Sequence, residues 1–470
     1  MNSVSLQNNS NSQEKQLFSS EFDDNFNIST YASPIKNKPV KILFSEDNIS
    51  TDIGALLLKE VDNNINLIDK IVAVTDYKRH ESYIKHDLKT LFSQRIFQIA
   101  SGYEDANDCN TLKNDPIFKM CADQLPESDN PLASQPTMTR LENSIDWKSI
   151  YNIAQVLFDN FIESYTKEPK IIVIDADDTD YTIHGEQEER LFNAYYGEYC
   201  YMPLQIYEGL SGKLIASILK PGRRFTGKAF LGILKRIVEN IRKHWKNTII
   251  IFRGDSHFAS PEVMQYIESK EKLHYVTGLT GYAPLQKFIK EKIDYAKKRF
   301  ERSTLKKTIK VYHSFYYQAS TWDAPKRIVA KIEYGENGLN TRYIITDLAE
   351  TGAKLLYEAV YCKRGEMELY IKDHKTYLKS GRCSCHAFKA NQFRVLLHSA
   401  AYVLIHTLQK EVLKGTEFAN STMQTIQLKL LKIAGKVKEL KTRINLELPL
   451  SYPYKEIFNK AFGIFSILRC

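Results

Sequence analysis

The chain has 470 residues, of which 43% are apolar and 26% are charged, as is ordinary for a globular protein of two or three domains. Its 65 Lys and Arg residues exceed its 56 Asp and Glu residues, so the net charge of +9 favours a polyanionic partner. The chain has no apolar run of about 18 residues, no secretory signal and no regular cysteine framework, so the sequence argues against a membrane span and predicts a cytoplasmic protein.

Residues 1–38 are rich in Asn, Ser and Gln and poor in aliphatic residues, which predicts a disordered tail. Residues 39–166 show apolar residues at helical spacing and are predicted to form a helical region. A basic patch of Lys78, Arg79 and His80 in this region suits DNA phosphates. Ordinary solvated helix faces would give the same pattern.

Residues 167–280 alternate between strand and helix patterns. The segment KIIVIDADDTD (170–180) is an apolar strand that ends in four aspartates, and TIIIF (248–252) is a second apolar strand that runs into Asp255. The other predicted elements are a hairpin over 201–207 and 213–219, helices over 225–244 and 260–269, and a strand over 274–279. The order strand, strand, strand, helix, strand, helix, strand predicts an α/β fold with a ribonuclease-H-like core.

Residues 281–350 interrupt this alternation. A basic helix is followed there by three β-type runs, at 310–320, 327–334 and 341–347, which predict an inserted β-rich subdomain. Residues 351–470 are predicted to complete the core, with a helix that carries a carboxylate and a basic C-terminal region.

The helix predicted over residues 361–375 carries Tyr361, Arg364, Glu368 and Lys375, spaced by 3, 4 and 7 residues. At about 100° per residue these side chains fall within roughly 60° of one another. One face would therefore hold a phenol, two cations and a carboxylate, which suits binding of a metal ion and a phosphate backbone together. A solvated surface helix is the alternative, so the interpretation depends on partner carboxylates elsewhere in the chain.

Asp177 and Asp255 follow two apolar strands, and with Glu368 they supply three carboxylates for divalent ions. Two such ions can clamp the attacking and leaving oxygens of a phosphoryl transfer. Oxygen ligands fit Mg²⁺, and Mn²⁺ is a suitable substitute. Strand alternation places Asp175 and Asp177 on the same face, so Asp177 is the favoured first ligand and Asp175 the alternative.

These motifs resemble those of bacterial insertion-sequence transposases with an Asp-Asp-Glu triad, in particular insertion-sequence family 1380 of the insertion-sequence-4-like group. Residues 361–375 match the YREK signature of that group at every spacing, and DADDTDYTIHGEQE (175–188) is similar to its first-Asp motif. RGDSHF is similar to its second-Asp motif, commonly RGDSGF, with His257 in the place of the usual Gly. The segments GYEDANDC, SQPTMTRLEN, YCYMPLQIY and FKANQFRVLL also resemble this family.

The resemblance implies a ribonuclease-H-like core, a helical N-terminal DNA-binding region and a β-rich insertion before the glutamate. It implies an enzyme that cuts element ends and joins them to target DNA, acting on double-stranded DNA as a homodimer in the synaptic complex, in the bacterial cytoplasm with the nucleoid. The implied metal ligands are Asp177, Asp255 and Glu368, and the predicted DNA contacts are Tyr361, Arg364, Lys375, Arg253 and Trp322.

Trp322 lies in the insertion, and it is a hypothetical stacking platform for an extruded base if cleavage passes through a DNA hairpin. Packing in the core is the alternative for this residue. Two other functions compete with that of a transposase. One is a nuclease of the same fold without strand transfer, and the other is a DNA-binding protein derived from a transposase, which would be expected to have lost a carboxylate.

Overall fold

The computed structural model describes residues 30–42, 48–78 and 84–468. Residues 30–42 form a unit of their own, an antiparallel hairpin of β1 (Thr30–Ile35) and β2 (Lys38–Ile42). Lys36 and Asn37 in its turn both have positive φ, as a tight two-residue hairpin turn requires. Strand β1 differs from the disorder predicted for residues 1–38. The rest of that tail, and Arg79 and His80 of the basic patch, lie outside the described residues.

The helical region begins with a short strand, β3 (Ile49–Ser50), and continues with seven described helices, three of which have a side-chain cap at the first turn. Its helices are α1 (Ala55–Ile65), α2 (Leu67–Ala73), α3 (Leu88–Ala100), α4 (Asp108–Leu112), α5 (Pro116–Cys121), α6 (Gln135–Ser144) and α7 (Trp147–Glu163). Asp87 and Asp146, for example, accept hydrogen bonds from the backbone of the first turns of α3 and α7.

The central region contains the predicted alternation of strands and helices. Its elements are β4 (Ile171–Asp178), β5 (Tyr181–Thr182), β6 (Leu191–Asn193), β7 (Glu198–Tyr201), β8 (Leu204–Glu208), β9 (Leu214–Ile218), α8 (Gly227–His244), β10 (Ile249–Gly254), α9 (Pro261–Glu268) and β11 (Leu273–Leu279). Five strands have the order β9-β8-β4-β10-β11, with β8 antiparallel to both β4 and β9, and β10 and β11 parallel to β4. The predicted ribonuclease-H-like arrangement is therefore confirmed.

A second, smaller sheet follows β4 directly, and the sequence patterns did not predict it. Its three strands have the order β5-β7-β6. Strand β5 pairs with β7 through Tyr181 and Tyr201, so this sheet is fixed to the end of β4.

The insertion extends the central sheet. It consists of α10 (Ala283–Arg302), β12 (Ile309–Tyr317), β13 (Lys326–Gly335) and β14 (Gly338–Thr346). Strand β14 pairs antiparallel with β11, so all three strands join a single sheet of eight, in the order β12-β13-β14-β11-β10-β4-β8-β9.

The C-terminal part returns to helices and ends with a small strand pair. Its regular elements are α11 (Ala353–Leu355), α12 (Gly365–Lys372), α13 (Phe388–Thr407), α14 (Met423–Ile426), β15 (Gly435–Leu440), β16 (Arg443–Glu447) and α15 (Lys455–Leu468). The segment between α11 and α12 is helical but irregular, with π-helix over Leu356–Tyr361 and 3₁₀-helix over Cys362–Arg364. Such irregular turns are frequent at functional sites.

Helices cover both faces of the central sheet. Ile206 of β8 packs in the apolar cluster of α8 and α9, whereas its neighbour Tyr207 packs in the cluster of α13 and the N-terminal helices. Successive side chains of a strand point to opposite faces, so these two residues mark the two layers. Within the described ranges, no helix combines the length and apolarity needed to cross a membrane.

Three segments far apart in the chain meet at a buried ion cluster. Glu142 on α6 is 2% exposed, and it accepts hydrogen bonds from Arg95 on α3 at 3.4 Å and from Arg394 on α13 at 2.9 Å. Both guanidinium groups also donate to the carbonyl oxygen of Glu104. One carboxylate thus faces two buried cations, and the cluster ties α3, α6 and α13 together.

Candidate active site

The carboxylates of the candidate site lie at one edge of the central sheet. Asp175, Asp177 and Asp178 belong to the end of β4, and Asp255 directly follows β10. Because β4 and β10 are adjacent and parallel, with Asp175 opposite Arg253, the carboxyl ends of both strands meet at the same place. The sequence prediction that two strand ends bring aspartates together agrees with this geometry.

Asp175 is held by Arg253 in the interior of the protein. Both of its oxygens accept hydrogen bonds, from Nε and Nη2 of Arg253, each at 2.6 Å, and the two side chains are 0% and 1% exposed. Arg253 also donates to the carbonyl oxygen of Val360 at 2.6 Å. A Cβ at Gly209 would lie 2.2 Å from Oδ2 of Asp175, so only glycine fits beside this pair.

This buried pair corrects the predicted role of Arg253. A side chain that is 1% exposed and bonded on three nitrogens cannot reach a DNA phosphate. Asp175, the alternative first ligand, has both oxygens engaged in the same pair. Asp177, two residues along the strand, lies outside this pair and keeps a side chain that is 20% exposed.

Asp177 forms an ion pair with the guanidinium of Arg364, whose charge also acts on Asp255. Nη2 of Arg364 lies 2.7 Å from Oδ2 of Asp177, and the two side chains are 15% and 20% exposed. Burial raises the pKa of Asp177 to about 6, although Arg364 lowers it. Burial raises the pKa of Asp255, but the hydrogen bonds and charge of His257, with a smaller contribution from the charge of Arg364, outweigh it, so this pKa is lowered. Two strand ends and the irregular helical segment therefore meet at this cation.

His257, the residue in the place of the usual glycine, links Asp255 to a second buried ion pair. Its Nδ1 contacts Asp255, and its Nε2 lies 3.3 Å from Oδ2 of Asp178, whose Oδ1 is 3.0 Å from Nζ of Lys220. Burial lowers the pKa of His257, but the bonds to Asp178 and Asp255 outweigh it, so the pKa is raised. Sequence reasoning missed Asp178 and Lys220 because alternation turns Asp178 away from Asp177. The signal in the sequence that could have found them was His257, which stands where the similar motif commonly has Gly.

The other three residues of the predicted helical face, Tyr361, Glu368 and Lys375, take different positions. Tyr361 is partly buried, and burial raises the pKa of its phenol. Nζ of Lys375 lies 2.8 Å from Oδ1 of Asp180. Glu368 is exposed in the first turn of α12, and among the described residues no hydrogen bond or ion pair reaches it. The structure thus pairs Arg364 with Asp177, whereas Glu368 forms no such pair within the described ranges.

The donor atoms at this edge suit a divalent cation. Asp177 and Asp255 present carboxylate oxygens from adjacent strand ends. Arg364 pairs with Asp177, and its positive charge also acts on Asp255. Hard oxygen donors of this kind are those that Mg²⁺ and Mn²⁺ prefer. Within the described part of the chain, no three His, Cys, Asp or Glu residues are already grouped as a metal site. The fit rests on the two aspartates.

Trp322 does not lie near these residues. It lies on the connection between β12 and β13, and the strands β14 and β11 separate β13 from β10. Its ring packs edge-on against Tyr317, with centroids 5.8 Å apart, and it is partly buried against two apolar clusters, as the packing alternative predicts.

Comparisons with known proteins place this geometry in context. The family model described as Transposase DDE domain group 1 matches residues 32–470, a range that contains Asp177, Asp255 and Glu368. No curated protein matches the chain. Among solved structures, the chain is similar to the cryo-EM structure of a piggyBac transposase synaptic complex with hairpin DNA, at 11% identity and a TM-score of 0.42, with 82% of each chain covered.

Proposed function

This chain belongs to the DDE transposases of group 1, enzymes that cleave DNA with divalent metal ions, and on that basis we propose that it cuts the ends of an insertion sequence and joins them to target DNA. The observation that supports the proposal is that the ends of the adjacent parallel strands β4 and β10 bring Asp177 and Asp255 to one edge of the sheet, where Arg364 pairs with Asp177. The YREK spacing of residues 361–375 favours insertion-sequence family 1380 within the larger group.

Asp177, Asp255 and Glu368 would hold two Mg²⁺ ions, with Glu368 joining when the helical segment moves on DNA binding. When bound, the ions activate the attacking oxygen and stabilise the departing 3′-oxygen. Arg364 then exchanges its bond to Asp177 for a phosphate of the DNA strand, because a guanidinium binds either anion in the same fork geometry. Lys375, which now neutralises Asp180, supplies a second phosphate contact.

Glu368→Gln tests the third ligand. We expect this variant to bind DNA ends within about twofold of wild type and to lose Mg²⁺-dependent cleavage by at least about 10³-fold, because a carboxamide is a poor ligand for the ion. Cleavage of labelled ends and filter binding give the two quantities. Joining of pre-cut ends to plasmid DNA then separates a transposase from a nuclease that only hydrolyses.

The matched control is Glu366→Gln, two residues away on the same helix, where the glutamate forms an exposed ion pair with Lys363 at 2.8 Å. It should keep nearly full activity, since such pairs contribute little. Loss of DNA binding in Glu368→Gln, with cleavage of the remaining complex unchanged, would contradict a metal-binding role for Glu368.

His257→Gly tests the contact that orients Asp255. The variant restores the residue common in the family, but it removes the only side chain that joins Asp255 to Asp178 among the described residues. We expect single-turnover cleavage to fall by about 10- to 100-fold, as is typical when a partner of a metal ligand is lost. His257→Gln, which keeps a donor, should recover part of the rate. Equal rates in wild type and both variants would show that Asp255 needs no such support.

A further inference from the structure

The hairpin of β6 and β7, residues 191–201, exposes a group of aromatic side chains. Phe192, Tyr195, Tyr196 and Tyr199 are 57%, 85%, 37% and 46% exposed. Their rings contact one another in pairs, Phe192 with Tyr199 at 5.6 Å and Tyr195 with Tyr196 at 5.0 Å between centroids. We call these four residues the aromatic platform. Exposed aromatic groups of this size commonly mark a binding surface.

Contacts at both strands of the hairpin fix the aromatic platform to neighbouring segments of the chain. Nδ2 of Asn193 donates to the carbonyl oxygen of Gly222 at 2.9 Å, and a Cβ at Gly222 would lie within 2.7 Å of two hairpin carbonyl oxygens. Tyr201 at the end of β7 is fully buried, and its hydroxyl donates to the carbonyl oxygen of Glu188 at 2.5 Å. The exposed rings therefore belong to an anchored element.

The platform lies at the same sheet edge as the catalytic aspartates. Strand β5 begins only four residues after Asp177, and it pairs directly with β7. The charges of Asp180, Arg224 and Asp177 all act on Tyr196, whose pKa is raised mainly by burial. A DNA strand whose phosphate met Asp177 would thus have its next nucleotides beside the platform.

Cations surround the rings. The guanidinium of Arg190 lies 4.4 Å from the ring centroid of Tyr199, and Arg223 and Arg224 are exposed on the loop that supports the hairpin. Nζ of Lys375 lies 2.8 Å from Oδ1 of Asp180, which is in the connection between β4 and β5. Aromatic faces interleaved with cations are the combination by which proteins bind unpaired nucleotides, since the rings stack on bases and the cations hold the backbone.

We propose that the aromatic platform binds an unpaired base of the DNA strand next to the phosphate that is cleaved. The proposal rests on the proposed function, because it assumes DNA at the aspartate edge. It concerns a different element from Trp322, which lies on the connection between β12 and β13. Bases stacked within a duplex present only their edges, so the platform selects DNA that has been opened or carries a single-stranded tail.

The test compares two DNA probes of the same sequence, a blunt duplex and the same duplex with a short 3′ adenosine tail. Anisotropy is measured with EDTA present, so the result does not depend on cleavage. Wild type should bind the tailed probe about tenfold more tightly, because stacking on an aromatic ring strengthens binding by roughly five- to 100-fold per base. Tyr195→Ala and Tyr196→Ala should lose this preference and keep their affinity for the blunt duplex, while Tyr195→Phe should retain it.

Tyr151→Ala is the matched control, since Tyr151 is 50% exposed and also lies by an arginine, 5.6 Å from Arg236, but on α7. It should keep the wild-type preference. Equal affinity of wild type for the two probes, or an equal loss for both probes in the platform variants, would overturn the proposal. Dissociation of a dimer by these variants in light scattering would assign the rings to a contact between copies and would also overturn it. Failure of the proposed function would appear instead in the cleavage assay of Glu368→Gln and wild type.

Discussion

Asp255→Asn and Asp177→Asn are each expected to abolish DNA cleavage, with a loss of at least about 10³-fold, while the protein stays folded and bound to DNA. A metal ion contributes several kcal/mol to stabilisation of the transition state, and each 1.36 kcal/mol is about tenfold in rate. Asparagine has the shape of aspartate, and the backbone N–H of His257, which donates to Oδ1 of Asp255 at 3.0 Å, keeps an acceptor. DNA affinity should be unchanged or higher, because each substitution removes a negative charge near the phosphates.

Single-turnover cleavage with Mg²⁺, with binding measured separately in EDTA, gives both quantities. Asp294→Asn is the control, since Asp294 is an exposed aspartate of α10. This variant should cleave DNA at the wild-type rate. A variant of Asp177 or Asp255 that cleaves at more than about a tenth of the wild-type rate would remove that residue from the ligand set.

Glu142→Ala is expected to lower the free energy of unfolding by about 3–5 kcal/mol. The substitution leaves the guanidinium groups of Arg95 and Arg394 buried, 0% and 2% exposed, with no carboxylate between them. Their remaining partners are carbonyl oxygens such as that of Glu104, which carry no full charge. Urea unfolding followed by circular dichroism measures the change.

Glu163→Ala is the comparison for Glu142, because Glu163 pairs with Lys70 at 2.5 Å on the surface. Such an exposed pair should contribute about 1 kcal/mol or less. Combining Glu142→Ala with Arg95→Met should recover part of the stability, since one buried charge is removed with its partner. If Glu142→Ala were no more destabilising than Glu163→Ala, the cluster would not be a source of stability.

The sequence predicted the strands of the core because burial on both faces gives a continuous apolar run. IIVI before Asp175 and TIIIF before Arg253 are such runs, and both become central strands, β4 and β10. The three strands of the insertion were also predicted. Their attachment to β11 was not, since the choice of a partner strand depends on contacts between residues distant in the chain.

The roles of the charged residues were harder to predict than the elements that carry them. Strand alternation puts Asp175 and Asp177 on one face. Only the contacts of Arg253 show that both oxygens of Asp175 are already bonded. Helical spacing likewise groups Arg364 with Glu368, but in the structure Arg364 pairs with Asp177 and, within the described ranges, Glu368 does not. The short strands β6 and β7 have too few residues for a periodic pattern, so the aromatic platform was not predicted.

Three of the segments that resemble the transposase family have a structural explanation. GYEDANDC supplies the carbonyl oxygen of Glu104, SQPTMTRLEN supplies Glu142, and FKANQFRVLL supplies Arg394. Glu142 and Arg394 are 252 residues apart in the chain, yet they form one buried contact. These segments therefore hold the helices together, and the chemistry lies elsewhere.

The continuous sheet of eight strands has a mechanical consequence. Helix α10 begins four residues after β11 ends and packs on β12 and β13 through Leu285 and Ile289, while Lys287, Lys290 and Lys298 face outward. Backbone hydrogen bonds run without a break from this insertion to β4. The distance between the cations of α10 and the carboxylate of Asp177 is thus fixed by a continuous hydrogen-bonded sheet, with no hinge between them. If α10 binds a duplex, the number of base pairs between that contact and Asp177 would therefore be constant.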